Sequence, residues 1–479
     1  MASEKLLELS PKELSIWQLD QTINRRGIYC DRELIEKSLR FIERYSVKLT
    51  NELVEITEGE VQTANQRAKI LAWAEKNDYE LPGLTKADVD TALGDEDFLP
   101  SNVRRVLEIR KALSMSSTKK LQAMLNMAMR DGRIRGTLLY HGASTGRWAG
   151  RGIQPQNLPR GTVKDVDSCI KSLENDSYEV FVDKYPDVLG AISSCIRGML
   201  CSSPGNKLLC ADFSAIECRV LFWLANDIGG LEIYHTHGKV YESMAADIYN
   251  KKLEEIEKGS FERQLGKQAI LGCGYQMGWK TFILTCESYG IEITENQAKM
   301  AVDAYRNKFQ AVKDFWRDTE ACAVLAVLKP GKTIEQNDKI RWKKVGKYLF
   351  CRLPSGRKIA YYDPKIQKGE TPWGAPKDLL TFMGVDSKTR KWCRQKTYGG
   401  KLVENITQGV ARDFMADAML REEKAGYKII LTVHDELLSE VPENFGTLKE
   451  FEDIMAEVPD WGLGCPIEVE GWEDRRFKK

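Results

Sequence analysis

The sequence has no excess of either charge, no cysteine framework and no long apolar run. Its 479 residues include 71 Lys and Arg against 70 Asp and Glu, and a net charge of +1 argues against a protein that coats nucleic acid. The twelve cysteines form no CxxC pair, which indicates reduced thiols in a cytosolic protein instead of disulfides or zinc ligands. No apolar run reaches the roughly 18 residues of a membrane span, and the polar start shows no signal peptide. We therefore expect a cytoplasmic protein with no membrane partner.

The composition and periodicity predict a large α+β protein. Hydrophobic residues make up 42% of the chain and charged residues 29%, which is ordinary for a globular protein with a large core. Apolar residues at helical spacing predict helices over most of the chain, in 4–60, 61–130, 226–330 and 401–424. Alternating or continuous apolar runs predict strands at 207–213, a hairpin over 352–363 and a strand–turn–strand unit over 427–441.

The near-zero net charge hides three basic segments. Residues 110–160 contain ten Lys and Arg and one acidic residue. Residues 341–358 contain seven basic residues and residues 388–401 contain six, and neither segment contains an acidic residue. Trp148, Trp342, Tyr348 and Trp392 lie within them. A single run of this kind is also typical of solvated surface, but three with interleaved aromatics favour a nucleic-acid track. The acidic residues are concentrated in 435–474, which contains thirteen Asp and Glu and one Lys.

Carboxylates stand where predicted strands end. Asp212 closes the strand at 207–213, and Asp435 and Glu436 occupy the tight turn of the unit at 427–441. If the strands are neighbours, the carboxylates repel each other unless cations lie between them, and oxygen ligands of this kind suit Mg²⁺. Two such ions are the usual arrangement for displacement at phosphorus. The alternatives are a helix N-cap for Asp212 and an exposed turn for Asp435 and Glu436.

A helix predicted over 260–276, with Ser260 as a plausible cap, presents an unusual face. Arg263, Lys267, Leu271 and Tyr275 recur every four residues, so that they lie on one slowly turning stripe. Two cations followed by an apolar and an aromatic side chain would suit a triphosphate at one end and a sugar and base at the other. The alternative is a partly exposed amphipathic helix.

Five stretches together resemble the motifs of one family. In chain order they are TGRWAGRGIQPQNLPRG (145–161), LLCADFSAIECRVLFWLA (208–225), RQLGKQAILGCGYQMG (263–278), ENITQGVARD (404–413) and LTVHDELLSE (431–440). They are similar to the motifs of family A DNA polymerases, the group of the bacterial polymerase I large fragment and many bacteriophage replicative enzymes. The match spans roughly 100–479. SSTKKLQAML (116–125) resembles the end of the family's thumb, and the segment 385–406 looks most like phage or prophage members.

The resemblance implies a right-hand architecture with a palm of antiparallel strands, helical fingers and a helical thumb. The segments it implies are an N-terminal helical part at the palm and thumb base (1–45), thumb (46–130), first palm part (131–225), fingers (226–400), and second palm part with the C-terminal tail (401–479). The implied activity is DNA-directed DNA polymerisation, in which a nucleotidyltransferase adds dNMPs to a primer 3′-OH with two Mg²⁺ ions and releases pyrophosphate. The implied partners are primer–template DNA and dNTPs, and we expect a monomer in a bacterial cell or a phage-infected host.

The resemblance also assigns roles to individual residues. Asp212 and Asp435 hold the metal ions with the Phe213 carbonyl, Glu436 is an accessory carboxylate, and Glu217 blocks the space of a ribose 2′-OH. The nucleotide-binding positions are Arg263, Lys267, Leu271, Tyr275 and Tyr241, with Lys267 a candidate general acid toward pyrophosphate and Tyr275 stacked near the templating position. The DNA-binding positions are Arg147, Gln156, Asn157, Gln408, His434, Lys119 and Lys120.

Some positions depart from the family pattern. Leu271 stands where an aromatic residue is usual, Tyr241 where many relatives have a phosphate-binding His, and Gln276 where Gly follows the tyrosine. No DxE-type exonuclease block precedes the motifs, so we expect neither proofreading nor 5′-nuclease activity from this chain. Two rivals are a single-subunit RNA polymerase, against which Glu217 argues, and a non-catalytic DNA-binding scaffold.

Overall fold

The computed structural model describes residues 9–95, 97–114, 117–159, 161–370 and 374–478. Arg160 of the QNLPRG stretch and Ser116 of SSTKKLQAML lie outside them. The helices are α1 Pro11–Arg26, α2 Arg32–Ile56, α3 Arg67–Lys76, α4 Lys86–Gly94, α5 Ser101–Leu113, α6 Ser117–Met127, α7 Val166–Asn175, α8 Tyr178–Lys184, α9 Val188–Cys195, α10 Ile216–Ala225, α11 Ile228–Thr236, α12 Val240–Tyr249, α13 Phe261–Cys273, α14 Trp279–Ser288, α15 Glu295–Lys308, α16 Gln310–Leu328, α17 Gly399–Ala425 and α18 Leu448–Ala456.

The strands form antiparallel sheets. They are β1 Ile28–Cys30, β2 Arg133–Ile134, β3 Leu138–Leu139, β4 Ala149–Gly150, β5 Leu200–Cys201, β6 Asn206–Phe213, β7 Thr333–Glu335, β8 Arg341–Val345, β9 Tyr348–Arg352, β10 Lys358–Glu370, β11 Pro376–Val385, β12 Trp392–Lys396, β13 Ile429–Val433, β14 Glu436–Pro442 and β15 Val469–Asp474. The α+β prediction is confirmed.

The N-terminal part is helical, and its first break lies at Gly27. Gly27, at a φ of +65°, ends α1 in a backbone conformation that other residues rarely adopt. The short β1 follows, and Asp31 then caps α2 by accepting a hydrogen bond from the Leu34 N–H. Because α2 is continuous from Arg32 to Ile56, the expected boundary at residue 45 falls inside this helix.

A four-stranded sheet with the order β13-β14-β6-β15 lies at the centre of the fold. Its strands are buried along almost their whole length in β13 and β14, which explains their continuous apolar sequences. The helix α17 packs beside it. The helix α1 contacts both, because Lys12 and Arg26 form ion pairs with Asp417 and Glu423 of α17, and Arg26 also donates a hydrogen bond to the Ile429 carbonyl of β13. This arrangement fixes the strand ends that carry the predicted carboxylates.

A second sheet, of six strands in the order β12-β11-β10-β9-β8-β7, occupies residues 333–396. The sequence predicted only its 352–363 hairpin. One face packs on α16 through Trp342, Leu349, Cys351 and Tyr361, which are nearly or completely buried. The turn at Gly356 between β9 and β10 matches the predicted turn.

The described residues contain no disulfide and no helix with the length and apolarity needed to cross a bilayer. Most cysteines are buried, and burial raises the pKa of Cys273 and Cys218 to about 12, which makes these thiols unreactive near neutral pH.

Candidate active site

The two predicted motif strands place their carboxylates side by side. β6 and β14 are neighbours, with Asp212 paired in register with Glu436, and the Phe213 N–H donates a hydrogen bond to the Asp435 carbonyl at 3.2 Å. His434, at a φ of +58°, makes the tight turn between β13 and β14. Asp212 and Asp435 therefore meet at one edge of the central sheet, as the sequence predicted.

The structure contradicts the alternatives of a helix cap for Asp212 and an exposed turn for Glu436, while Asp435 lies in the turn and is half-buried. The N-cap of α10 is Ala215, which makes no side-chain capping bond, so Asp212 does not cap the helix. Glu436 is only 3% exposed and accepts a hydrogen bond from the Cys210 thiol at 2.7 Å, so it is not part of an exposed turn. Glu436 is therefore buried beneath the strand ends, which agrees with the expectation of an accessory carboxylate near the site.

A cavity of about 300 Å³ joins the two strand ends to the fingers helix α13. It is lined by residues predicted separately from motifs far apart in the sequence: Asp212, Phe213, Glu217, Leu271, Tyr275, His434 and Asp435. Leu271 is 47% exposed at its edge, an unusual position for a large apolar side chain and one that suits contact with a ligand.

Arg147 forms ion pairs with two of the carboxylates that line the cavity. Its Nη1 lies 2.6 Å from Oε1 of Glu217, and its Nη2 lies 2.8 Å from Oδ1 of Asp435. Burial raises the pKa of Asp435, Arg147 counteracts the rise, and the carboxylates of Glu217 and Asp212 add to it. Three acids thus share one confined space, and positive charge stabilises them there.

The same residues fit divalent metal ions. Asp212, Asp435 and the backbone carbonyl of Phe213 offer hard oxygen ligands, which Mg²⁺ prefers, and their mutual repulsion is the kind that a cation relieves. Within the described residues, no group of three or more His, Cys, Asp or Glu side chains forms a ready metal cage. A metal here therefore requires further oxygen ligands from substrate and water.

The helix α13 presents the predicted face, but it is shorter than predicted. Ser260 caps it by accepting a hydrogen bond from the Arg263 N–H, as expected. The helix ends at Cys273 instead of 276; Gly274 is its C-cap, and Gln276, at a φ of +66°, turns the chain away from the helix axis. The Tyr275 hydroxyl donates to Oε2 of Glu217 at 2.8 Å, and since burial and Glu217 raise the pKa of Tyr275, it keeps the proton it donates.

The cationic end of α13 lies against α12, and the sequence did not predict one of its partners. Gly266 lets the helices approach closely, because a Cβ at this position would lie 2.4 Å from the Tyr241 carbonyl. The Tyr241 ring lies 5.6 Å from the Arg263 guanidinium and 5.9 Å from Nζ of Lys267. Glu242 accepts a hydrogen bond from Arg263 at 2.6 Å. In the sequence, only the position of Glu242 next to Tyr241 pointed to a role for Glu242.

Gln276, for which the sequence offered no explanation, has a structural role. Its φ is +66°, and its side-chain oxygen accepts a hydrogen bond from the Gly400 N–H at 3.0 Å. Gly400 lies in the first turn of α17, where backbone N–H groups lack partners within the helix. The side chain therefore ties the turn after α13 to the start of α17.

Two of the predicted DNA-binding residues lie beside the carboxylate turn. Gln156 donates a hydrogen bond to the carbonyl of Thr432, which precedes His434 by two residues. His434 itself is exposed. These two side chains and Arg147 therefore surround the edge of the sheet at which Asp435 lies.

The other predicted DNA-binding residues lie on neighbouring elements. Gln408 is half-buried on α17, Asn157 is exposed, and Lys119 is exposed on α6. Lys120 donates a hydrogen bond to the Ile153 carbonyl at 2.9 Å, and burial lowers its pKa. Lys120 therefore holds the loop that carries Gln156, in addition to any contact with a ligand.

A pair of carboxylates at the edge of an antiparallel sheet, facing a helix with two cations, defines a nucleotidyltransferase of the polymerase type. The sequence model of "DNA polymerase family A" matches residues 35–326, which is more than half of the chain. The DNA polymerase of Bacillus phage SP02 is 37% identical over 468 residues, covering 98% of this chain and 71% of that protein. The chain belongs to DNA polymerase family A, and it is a DNA-directed DNA polymerase.

More distant relatives share part of their length with the chain. DNA polymerase theta of Mus musculus is 34% identical over 288 residues, which span 56% of this chain and 10% of that protein. A solved structure, the POL domain of Pol1 from M. smegmatis in complex with DNA primer-template and dNTP, has a TM-score of 0.63 and 19% identity. It covers 98% of this chain and 70% of that one, and it supports the right-hand fold.

Proposed function

We propose that the chain adds dNMPs from dNTPs to the 3′-OH of a primer paired with a DNA template. The observation that supports this proposal is that Asp212, Glu217, Leu271, Tyr275 and Asp435 line one cavity. It places a carboxylate pair suited to Mg²⁺ beside a helix that offers cations and an apolar surface. When bound, two Mg²⁺ ions supply deprotonation of the primer 3′-OH and stabilisation of the charge that develops on pyrophosphate.

Residues of α13 bind the incoming nucleotide in this proposal. Arg263 and Lys267 hold the triphosphate, and Lys267 donates a proton to the leaving pyrophosphate. Although burial opposes it, Arg263 lowers the pKa of Glu242, so that Glu242 stays ionised and holds Arg263 until the triphosphate competes for the guanidinium. Tyr241 supports both cations through its ring and replaces the phosphate-binding His of many relatives.

Arg147 has two alternating partners in this proposal. Without DNA it neutralises Asp435 and Glu217, which keeps the closely spaced acids ionised. When primer–template binds, Arg147 turns to the minor groove of the primer terminus together with Gln156, Asn157, Gln408 and His434. Minor-groove acceptors are common to all correct pairs, so that such contacts test the shape of the pair instead of its sequence.

The expected segments follow the same proposal. The helices within 46–130 form the thumb, with Lys119 and Lys120 near the duplex. Residues 131–225 and 401–479 form the palm around the four-stranded sheet, and 226–400 form the fingers, which include the six-stranded sheet. Residues 1–45 brace the palm through α1.

Primer extension with Asp212→Asn and Asp435→Asn tests the metal assignment. Each change should lower the extension rate by about 10³-fold or more, because each removes a charged metal ligand, while binding of primer–template remains. Asp338→Asn, at an exposed carboxylate away from the cavity, is the matched control and should keep the wild-type rate. Extension at the wild-type rate by either variant would show that the carboxylates do not hold the metals.

The same assay tests the rival function. A wild-type chain that binds primer–template but never extends the primer would favour a non-catalytic DNA-binding scaffold.

A further inference from the structure

The outer face of the six-stranded sheet has a composition that the polymerase site does not explain. Along β9 and β10, side chains alternate between the face packed on α16 and a face open to solvent. In the cross-strand register, Lys343 and Phe350 are paired on the open face, as are Arg352 and Lys358. The open face therefore combines cations with aromatic rings.

Four aromatic side chains form a continuous row on this face. The ring of Phe350 stacks on that of Tyr348 with centroids 5.7 Å apart, Tyr348 lies 5.2 Å from Tyr362, and Tyr362 lies 6.2 Å from Trp392. Tyr348 is 42% exposed and Trp392 is 56% exposed. The exposed rings on β9 and β12, joined by the half-buried rings of Phe350 and Tyr362, offer faces on which planar groups can stack.

Cations dominate the groove beside this row. An open groove of about 810 Å³ is lined by Arg341, Lys343, Phe350, Arg352 and Lys358, together with a single acid, Glu335. Glu335 pairs with Arg341 at 3.2 Å. In the described parts of the chain, no carboxylate lies within ion-pair distance of Lys343, Arg352 or Lys358, which leaves these charges available to an anionic partner.

One end of the groove reaches the proposed DNA path. Gly356 lines it, and the adjacent Arg357 donates to Asp413 at 2.5 Å and to the Gly409 carbonyl at 2.8 Å. Gly409 follows the proposed DNA contact Gln408 on α17. A strand that leaves the polymerase site at Gln408 would therefore meet the groove at the β9–β10 turn.

We propose that this face binds single-stranded DNA, namely the part of the template that is not paired with the primer. The cations attract the phosphate backbone, and the exposed rings of Tyr348 and Trp392, with the half-buried ring of Phe350, stack with bases. Stacking requires free base faces, which a duplex does not offer, so the aromatic row selects an unpaired strand. The identity of the strand as template rests on the proposed function, whereas binding of single-stranded DNA does not.

Fluorescence anisotropy with two labelled duplexes tests the proposal, one blunt-ended and one with a 20-nucleotide single-stranded template overhang. The wild-type chain should bind the overhang substrate more tightly than the blunt one. Tyr348→Ala or Trp392→Ala should each reduce this preference by about fivefold or more, since a stacked base contributes about 1–3 kcal/mol. Lys343→Glu/Lys358→Glu should also reduce it. Affinity for the blunt duplex should stay unchanged in every variant.

Matched controls separate this face from general surface effects. Tyr289→Ala removes an aromatic ring that is 66% exposed on another element, and Lys424→Glu/Lys449→Glu changes the charge by the same amount elsewhere. Both should keep the preference for the overhang. If Tyr348→Ala and Trp392→Ala both keep the wild-type preference for the overhang substrate, the proposal is overturned, because stacking is then absent. This holds even if Lys343→Glu/Lys358→Glu weakens binding. Equal losses on both substrates overturn it too, because the damage then lies in the polymerase cleft.

Photocrosslinking of the unmodified chain checks the proposal without relying on any variant. A template overhang that carries 5-iododeoxyuridine should crosslink to peptides that contain Tyr348 or Trp392. Crosslinks confined to other segments overturn the proposal. Failure of the proposed function is distinguishable, because it would appear as extension that survives Asp212→Asn, with the overhang preference unaffected.

Discussion

At the scale of single residues, the site holds Glu217 in one position from two sides. The Tyr275 hydroxyl donates to one carboxylate oxygen and Arg147 donates to the other. A glutamate with free rotation would fill the space of a 2′-OH only part of the time. In the proposed cycle Arg147 leaves Glu217 when primer–template binds, so the Tyr275 hydrogen bond is the restraint that remains, and we expect the exclusion of ribonucleotides by Glu217 to depend on it.

Tyr275→Phe should therefore weaken the discrimination against ribonucleotides. The change removes the 2.8 Å hydrogen bond to Glu217 and keeps the ring, so we expect the ratio of kcat/KM for dNTP over rNTP to fall about threefold to tenfold. Glu217→Ala should reduce it further. Tyr305→Phe is the control, because the Tyr305 hydroxyl is buried without a hydrogen-bond partner among the described residues. An unchanged ratio in Tyr275→Phe would show that this hydrogen bond does not position Glu217 for the exclusion of ribonucleotides.

Leu271 predicts poor use of dideoxynucleotides. It lies at the cavity edge and is 47% exposed, but it has no hydroxyl that could replace the missing 3′-OH of such a nucleotide. Leu271→Tyr should raise dideoxynucleotide incorporation relative to dNTP by about tenfold, as one gained hydrogen bond of about 1.4 kcal/mol would. Chain-termination assays measure this, with Leu271→Phe as the variant that adds a ring without a hydroxyl. Equal sensitivity of wild type and Leu271→Tyr would contradict the prediction.

At the scale of elements, the sequence predicted those whose signals are local. The strand that ends at Asp212, the turn at Asp435 and the cap at Ser260 all follow from residues within a few positions of each other. The end of α13 was predicted three residues too late, because four-residue spacing continues through Gly274 to Tyr275 although the backbone turns there. Spacing alone does not report the left-handed backbone at Gln276 that follows the helix.

Features that depend on distant partners were not predictable in this way. β8 has only Trp342 completely buried among its five residues, so its alternation is too short to indicate a strand before β9 pairs with it. The ion pair of Arg263 with Glu242 joins two helices whose approach depends on Gly266. Such contacts are set by packing, which one sequence does not reveal.

The helix α17 contains a buried acid that opposes folding at neutral pH. Neither side-chain oxygen of Glu422 has a hydrogen-bond partner in the described part of the chain, and burial raises its pKa to about 9. Between pH 4.5 and 9 the folded chain therefore holds a proton that the unfolded chain releases. The stability that this proton supplies is complete below pH 4.5 and is lost as the pH rises toward 9.

Glu422→Gln should raise the free energy of unfolding, and the gain should grow with pH. Because the amide does not ionise, we expect a gain on the order of 2 kcal/mol at pH 7.5 and almost none near pH 4.5. Urea unfolding of both chains at several pH values measures it. Glu443→Gln, at an exposed acid, should leave the pH dependence as in wild type. A gain that does not change with pH would mean that the Glu422 carboxyl is not titrating as described.

At the scale of the whole molecule, the net charge of +1 is a cancellation between separate regions. Cations line the groove of the six-stranded sheet and occupy the N-terminal part of α13, whereas acids concentrate at the strand ends and in the C-terminal residues from Asp435 onward. A DNA phosphate responds to charges within about one Debye length, roughly 8–10 Å, and not to the total. The distribution therefore controls binding, and the initial argument from net charge against a nucleic-acid partner was wrong.

The affinity for primer–template should depend steeply on salt despite the near-neutral chain. If five or more phosphates are neutralised, the Kd should rise by about 10²-fold or more between 50 and 200 mM salt, because bound cations of the DNA are released on binding. Anisotropy titrations measure the slope of log K against log salt. Lys119→Ala should reduce its magnitude by about 1, as loss of one phosphate contact does, while Lys424→Ala should not change it. A flat salt dependence would mean that total charge, not the local basic surfaces, governs association, and it would remove the electrostatic support for both the duplex path and the single-strand groove.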